Sequence, residues 1–435
     1  MAQAPPRIQI SNFVPQPLKT IQETGLNLGF ITDLVIKVLY LSGYVSGYEI
    51  AERIKLPFLG ITDKAIEFLK REKMCEVRGS GGFGEGSYQY TITSKGANKA
   101  REVMDRTTYV GPAPVPLNQY NKAIKAQGIR ELTVRPRTMR QALAHLVLSE
   151  KTFDSIGPAV NSGKSLFLYG PPGNGKTTIA EAIGKMVLGD DMLIPFAVDI
   201  DGEIIKVYDE VNHQLIEQAS VMPGTGSLKR IPDPRWLRIR RPAIMAGGEL
   251  TLRNLDLIWN QGTRFYEAPH QMKANGGMFL IDDFGRQQVR PRDLLNRWIV
   301  PLEKQVDFLT LHTGRKIEIP FEVLVVFSTN MDPKDLVDEA FLRRIPHKIE
   351  VIDPSMDEFR EIFRRFCEIK KVTYEERGLA YLLQEYYVKP KRKLRSVHPR
   401  DILNQLLDLS AYFGTRPQLT KDLIDRAAGA YFVEL

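Results

Sequence analysis

A chain of 435 residues exceeds one ordinary domain and suggests roughly two or three. Hydrophobic residues at 43% and charged residues at 26% give the balance of a globular protein with sizeable cores, and a formal charge of +8 invites an acidic partner without demanding one. Only Cys75 and Cys367 are present, which excludes a disulfide framework and fits a reducing compartment. No apolar run approaches the roughly 18 residues of a membrane span, and the opening segment lacks the apolar stretch of a secretory leader. A cytoplasmic location without membrane insertion is expected.

Residues 1–27, with Pro5, Pro6, Pro15 and Pro17, read as a flexible N-terminal arm. Over 28–108 the pattern becomes regular. Ile31, Leu34, Val35, Val38 and Leu39 recur at helical spacing, Gly43 breaks the run, and a second helix is expected over Gly47 to Ile54. A third helix is expected from about Thr62 to Met74, with Thr62 as its N-cap. Two short strands around a glycine-rich turn and a last helix follow. Three helices and a hairpin resemble a winged helix-turn-helix domain, the run Tyr88 to Ala100 being similar to its second wing strand and closing helix. Residues 109–118 form a proline-rich linker of polyproline type. Helices and short apolar strands alternate over 119–353, predicting an α/β layer architecture. From 354 to 435 strand signals vanish, which predicts an all-α unit.

Ser165 to Tyr169 is a buried-strand candidate. It is followed by Gly170-Pro171-Pro172-Gly173-Asn174-Gly175-Lys176-Thr177-Thr178 and a helical stretch. This satisfies the phosphate-loop pattern in its strand–loop–helix context. The glycines let backbone N–H groups converge on phosphate oxygens, and the helix N-terminus adds a favourable dipole. Lys176 is expected to reach the β- and γ-phosphates of ATP, and the Thr177 hydroxyl to ligate Mg²⁺. The alternative, a chance glycine turn before a helix, has little weight given the full match.

Met278 to Ile281 forms a second apolar strand, ending on Asp282 and Asp283. Asp282 is expected to hold Mg²⁺, and Asp283 to orient or deprotonate the attacking water. A third strand, Val323 to Thr329, ends on Asn330, an amide able to position that water.

Downstream come Asp338-Glu-Ala-Phe-Leu-Arg343-Arg344-Ile345, and Val397-His-Pro-Arg400-Asp at a helix start. With these the chain resembles the AAA+ ATPases over roughly residues 120 to 435. The implied fold is an α/β P-loop NTPase (AAA+) core with a C-terminal all-α lid and an N-terminal winged-helix domain. By the resemblance, 170–178 is Walker A, 278–283 is Walker B and Asn330 is sensor 1. Arg343 and Arg344 match the arginine-finger position, acting on a neighbour's nucleotide, and Arg400 matches the sensor 2 arginine that contacts bound nucleotide. The resemblance further implies ATP and Mg²⁺ as ligands, ATP phosphohydrolase activity and a homo-oligomeric, hexameric ring. One departure is Asp283, where most members carry Glu.

Several features bear on what such a motor acts on. A second core strand is expected at about Phe196 to Asp199, followed by an insertion with an Asp201-Gly202 hairpin turn. Arg230, Arg235, Trp236, Arg238, Arg240 and Arg241 cluster there, equally readable as a substrate-engaging pore element or as an inter-subunit packing patch. A hairpin over Asp307 to Ile319 resembles the one preceding sensor 1 in the branch with helicases, metal chelatases and MoxR-like chaperones. The third N-terminal helix mixes Lys64, Lys70, Arg71 and Lys73 with Asp63, Glu67 and Glu72, and the wing from Gly79 to Tyr90 has no Lys or Arg. DNA readers concentrate basic charge on one face, so a protein partner is favoured, with a DNA-handling motor as the alternative. The basic run Lys389 to Arg395 fits a solvated lid loop, a subunit contact or a nucleic-acid patch. The six His and two Cys show no zinc-ligand spacing.

Overall fold

The computed structural model describes residues 13–129, 134–187, 191–216, 232–336 and 338–432. Its central feature is a five-stranded parallel sheet. The strand order is Ala243–Ala246, Met278–Ile281, Leu324–Thr329, Leu166–Tyr169 and His347–Glu350. Three of these strands are near-continuous apolar runs, as expected where both faces are covered. Side-chain alternation splits the core in two. Leu166, Leu168, Leu280 and Val326 face the helices Glu150–Asn161 and Lys176–Val187, meeting Ile156, Val160, Ile179 and Ile183. Phe167, Phe279, Ile281 and Phe327 face the helix Pro291–Lys304, where Trp298 is fully buried.

The second core strand is Ala243–Ala246, not the expected Phe196 to Asp199. Ala197–Ile200 instead belongs to another five-stranded sheet, in the order Ile258–Asn260, Phe265–Glu267, Glu203–Lys206, Ala197–Ile200 and Val115–Pro116. Both candidates are short and apolar, so local pattern cannot choose between them; pairing with Met278–Ile281 does. The hairpin joining Ala197–Ile200 to Glu203–Lys206 turns through Asp201 and Gly202, at φ 53° and 93°, the left-handed pair a type I′ turn requires. A second hairpin pairs Val306–Thr310 with Lys316–Pro320.

The proline-rich linker is packed on both sides. Val115 and Pro116 pair in parallel with Val198 and Asp199, Ala113 N–H donates to the Ile54 carbonyl, and Tyr109 is buried against Phe265. Residues 13–27 of the expected flexible arm are likewise packed. Leu18 and Leu26 are buried in the N-terminal core, Phe13 lies 5.2 Å from Trp236, and a turn at Ile21–Thr24 carries a Thr20/Glu23 capping box. The arm's first 12 residues lie outside the described set.

Two members of the arginine cluster serve as clamps. Arg235 is fully buried, paired with Asp233 at 2.8 Å, and donates to the carbonyls of Thr24 and Pro114. It fastens arm, linker and insertion together. Arg241 donates to the carbonyls of Gln127 and Gly276. Arg230 lies outside the described residues.

The N-terminal unit packs helices Leu28–Ser42, Gly47–Ile54, Asp63–Arg71 and Ser94–Met104 with a three-stranded antiparallel sheet, ordered Tyr44–Ser46, Tyr88–Ile92, Cys75–Ser80. Thr62 does not cap the third helix: its hydroxyl donates to the Pro57 carbonyl, while Asp63 accepts from the Gly60 amide. From Met356 the described chain is helical, with Met356–Lys370, Glu376–Leu383, His398–Phe413 and Lys421–Tyr431 around one core. Among the described residues no helix is long and apolar enough to cross a membrane.

Candidate functional site

The C-terminal ends of three adjacent strands converge on Lys176. Leu166–Tyr169 runs into the loop 170–175, whose Gly170, Gly173 and Gly175 have φ of 135°, 81° and 82°. A side chain at Gly170 would lie 2.4 Å from the Val351 carbonyl oxygen, so the loop's path admits glycine there. The loop ends at Lys176, the first residue of the helix Lys176–Val187.

Lys176 is buried, and its ammonium donates to the carbonyls of Gly170 and Pro171, both at 2.9 Å, and to Asn330 Oδ1 at 2.7 Å. Burial lowers its pKa, opposed by the carboxylates of Asp283 and Asp282. Asn330 bridges two groups, since its Nδ2 donates to Asp283 Oδ1 at 3.0 Å. The Thr177 hydroxyl lies 2.9 and 3.1 Å from the two Asp282 oxygens.

The acidic pair is fixed by its neighbours. Asp282 N–H donates to the Ala246 carbonyl, Phe284 N–H to that of Ser328, and Thr329 Oγ1 to that of Phe284. Gln287 Nε2 donates to the Asp282 carbonyl at 2.8 Å. Asp283 holds a left-handed backbone, φ 48°, which is uncommon outside glycine and aims consecutive carboxylates differently.

Beside the loop lies a cleft of about 210 Å³. His145 to Leu148, Gly173 to Gly175, Thr178 and Ile179 form one wall; Ile362, Phe366, Ile369, Val397 and Arg400 form the other. Its lining combines apolar side chains, Leu146, Val147, Leu148, Ile179, Ile362 and Phe366 among them, with the polar loop and Arg400. Arg365 ties the walls together by donating to the Ala144 and Leu146 carbonyls. Pro171 and Pro172 lie at the loop's entry, Pro171 lending its carbonyl to Lys176.

The expected arginines take different positions. Arg400 lines the cleft, half exposed, with its Nε donating to Asp401 at 2.8 Å. Arg343 is exposed and paired with Glu339 at 3.0 Å; Arg344 pairs with Glu303. Arg343 borders a separate depression of about 320 Å³ with Tyr169, Asp332, Lys334 and Lys348.

Two residues absent from the sequence-based set stand at the loop's rim. Asp353 Oδ1 accepts from Asn174 Nδ2 at 2.8 Å and also pairs with Arg395. Asp353 lies just past the last core strand, in no motif; Arg395 ends the basic run already noted, for which a place at the phosphate loop was not among the readings. Among the described residues no group of three or more His, Cys, Asp or Glu is placed to hold a metal ion.

Residues 355–430 match the model of a domain of unknown function, DUF8689. No curated protein matches the chain. Among solved structures the chain is similar to NtrX from Brucella abortus, at 14% identity over 86% of this chain and a TM-score of 0.38. It spans 63% of that chain. It is also similar to the RuvB Holliday junction branch migration motor from Thermotoga maritima, at 12% identity, over 72% of this chain and 74% of that one, with a TM-score of 0.33. Superpositions this loose bear on neither substrate nor partner.

Proposed function

We propose that the chain is a AAA+ ATPase that binds Mg-ATP in this cleft and hydrolyses it at the subunit interfaces of a ring. The work of the ring is to remodel a protein partner, recruited in part by an N-terminal winged helix. The observation that carries the nucleotide site is the meeting of Lys176, Thr177, Asp282, Asp283 and Asn330 at the ends of three adjacent parallel strands.

In this reading Gly170 to Gly175 cradle the phosphates with Lys176, and Thr178 and the apolar wall take the nucleoside. The Thr177 hydroxyl and Asp282 carboxylate are hard oxygen donors within hydrogen-bond distance of each other, a set that fits Mg²⁺, which takes one or two carboxylates alongside phosphate oxygens. When bound, the ion neutralises charge on the β- and γ-oxygens. Asp283 orients the attacking water and receives its proton. It is one methylene shorter than the family's usual Glu, and its bond to Asn330 gives the shorter arm a fixed direction. Arg400 approaches the bound nucleotide in cis, while the exposed Arg343, with Arg344, serves a neighbour's site.

A protein target is favoured by the N-terminal unit. The exposed face of Asp63–Arg71 sets Glu67 among Lys64, Lys70 and Arg71, with Asp63 at the helix start, so its basic charge is interrupted and not continuous. Tyr44, Tyr48 and Leu59 are exposed apolar side chains on the same unit.

Equilibrium nucleotide binding beside steady-state turnover tests the site. Lys176→Ala should weaken ATP binding by at least about 100-fold; Asp283→Asn should keep binding and lower turnover by roughly 10²–10⁴. Unchanged binding in Lys176→Ala would remove the assignment.

A further inference from the structure

The basic run Lys389 to Arg395 does not stand in solvent as a whole. Arg392 lies 3.8 Å over the Phe432 ring and donates to the Tyr386 carbonyl, so it belongs to the helical unit's own packing. Arg395 turns the other way, toward the phosphate loop. Its guanidinium pairs with Asp353, whose same oxygen accepts from Asn174 of the loop. The backbone that follows is tied to the loop as well: Ser396 N–H donates to Asn174 Oδ1 at 3.2 Å and Val397 N–H to the Gly173 carbonyl at 2.8 Å. Arg395 thus pivots from a point fixed to the loop.

We propose that Arg395 is a phosphate-contacting residue of this site, held on Asp353 at the rim of the loop until the nucleotide's polyphosphate takes it over. The proposal rests on the nucleotide-site reading above. Three observations support it. Arg395 Cβ lies 3.8 Å from where a Cβ on Gly173 would sit, so the side chain starts at the loop itself. Its charge is felt at Lys176, whose ammonium it disfavours after burial is counted and against the two aspartates. Arg400, by contrast, donates to its sequence neighbour Asp401 and is more exposed than Arg395. A guanidinium offers phosphate the forked donor geometry it offers carboxylate, and a polyphosphate brings several negative charges against the single one on Asp353. Asp353 fixes Arg395 at the rim of the loop, beside Asn174.

The test is the affinity of the full chain for ADP and for adenosine, measured by competition against a fluorescent ADP analogue. Arg395→Ala and Arg395→Gln should each weaken ADP by about ten-fold or more, the loss of one charge-assisted bond, and leave adenosine unchanged. Gln keeps the stem and a donor for Asp353, so the pair of variants separates lost charge from lost folding. Arg395→Lys should recover part of the loss. Asp353→Asn, whose amide oxygen still accepts from Asn174, should bind ADP at least as tightly as the wild type. The proposal is overturned by an Arg395→Gln chain within about two-fold of wild type for ADP, or by equal losses for ADP and adenosine, which would mark a strut. An Asp353→Asn chain as weakened as Arg395→Gln would overturn it too. Lys176→Ala separates the two levels. If it binds ADP like the wild type, the nucleotide site itself is misassigned; if it loses ADP while Arg395→Gln does not, only the role of Arg395 falls.

Discussion

At Gly173 two demands meet. The backbone is left-handed, φ 81°, and an added Cβ would stand 2.7 Å from Val397 Cγ1. Gly173→Ala should therefore cost about 1–3 kcal/mol from the backbone alone and press Val397 away from the loop. The expected outcome is a lower melting temperature together with weaker nucleotide binding. Gly157 is the control: it sits inside the helix Glu150–Asn161 with nothing within 4 Å of an added Cβ. There Ala should be neutral or stabilising by roughly 0.5–1 kcal/mol. Equal losses at the two positions would show that the contact with Val397 is unimportant. Lys176, Thr177, Asp282, Asp283 and Asn330 were all legible in the sequence because each sits in a short local pattern at a strand end. Asp353 was not, and Arg395 only as the end of a basic run, because their meeting is a contact between residues 42 apart.

Elements carry a second lesson at the start of the helix His398–Phe413. His398 lies among Tyr387, Tyr431 and Phe432, and the Tyr387 hydroxyl is 3.1 Å from its Nδ1. Burial first, then Arg395 and Arg392, push its pKa down to about 4 from an ordinary 6.5. A base whose folded pKa is depressed takes up its proton first in the unfolded chain. The helical unit should hold full stability above about pH 6.5, lose it progressively as pH falls to about 4, and lose no more from this group below that. Hydrogen exchange of residues 355–432 across that window reads the effect, and His398→Gln should flatten the slope. An unchanged slope in the variant would assign the pH dependence to other groups. The helices here and the two hairpins were readable from periodicity and turn residues. Strand partnership was not: Ala197–Ile200 and Ala243–Ala246 are equally good short strands, and only tertiary pairing sends them to different sheets.

For the whole molecule, part of the arginine cluster is spent on internal packing. Arg235 and Arg241 are consumed inside, and breaking the buried Arg235–Asp233 pair from one side would leave an uncompensated charge where arm, linker and insertion meet. The proline-rich segment, read as a linker of polyproline type, supplies the edge strand Val115–Pro116 of the second sheet, so the N-terminal unit is joined to the rest by backbone pairing as well as by chain continuity. A sequence reading treats prolines as local stiffeners and cannot foresee an edge that suits them. What remains outward is Arg343, beside a polar depression, on the segment after the Asn330 strand. On the ring reading proposed above, that guanidinium would serve the next subunit's nucleotide, and a lone subunit would hold an incomplete site.

Turnover per subunit as a function of protein concentration, followed together with oligomeric state, addresses this central point most directly. ATP hydrolysis per subunit should rise as rings assemble, and Lys176→Ala should stay silent at every concentration. Flat turnover per subunit across the passage from monomer to oligomer, or activity retained by Lys176→Ala, would contradict it.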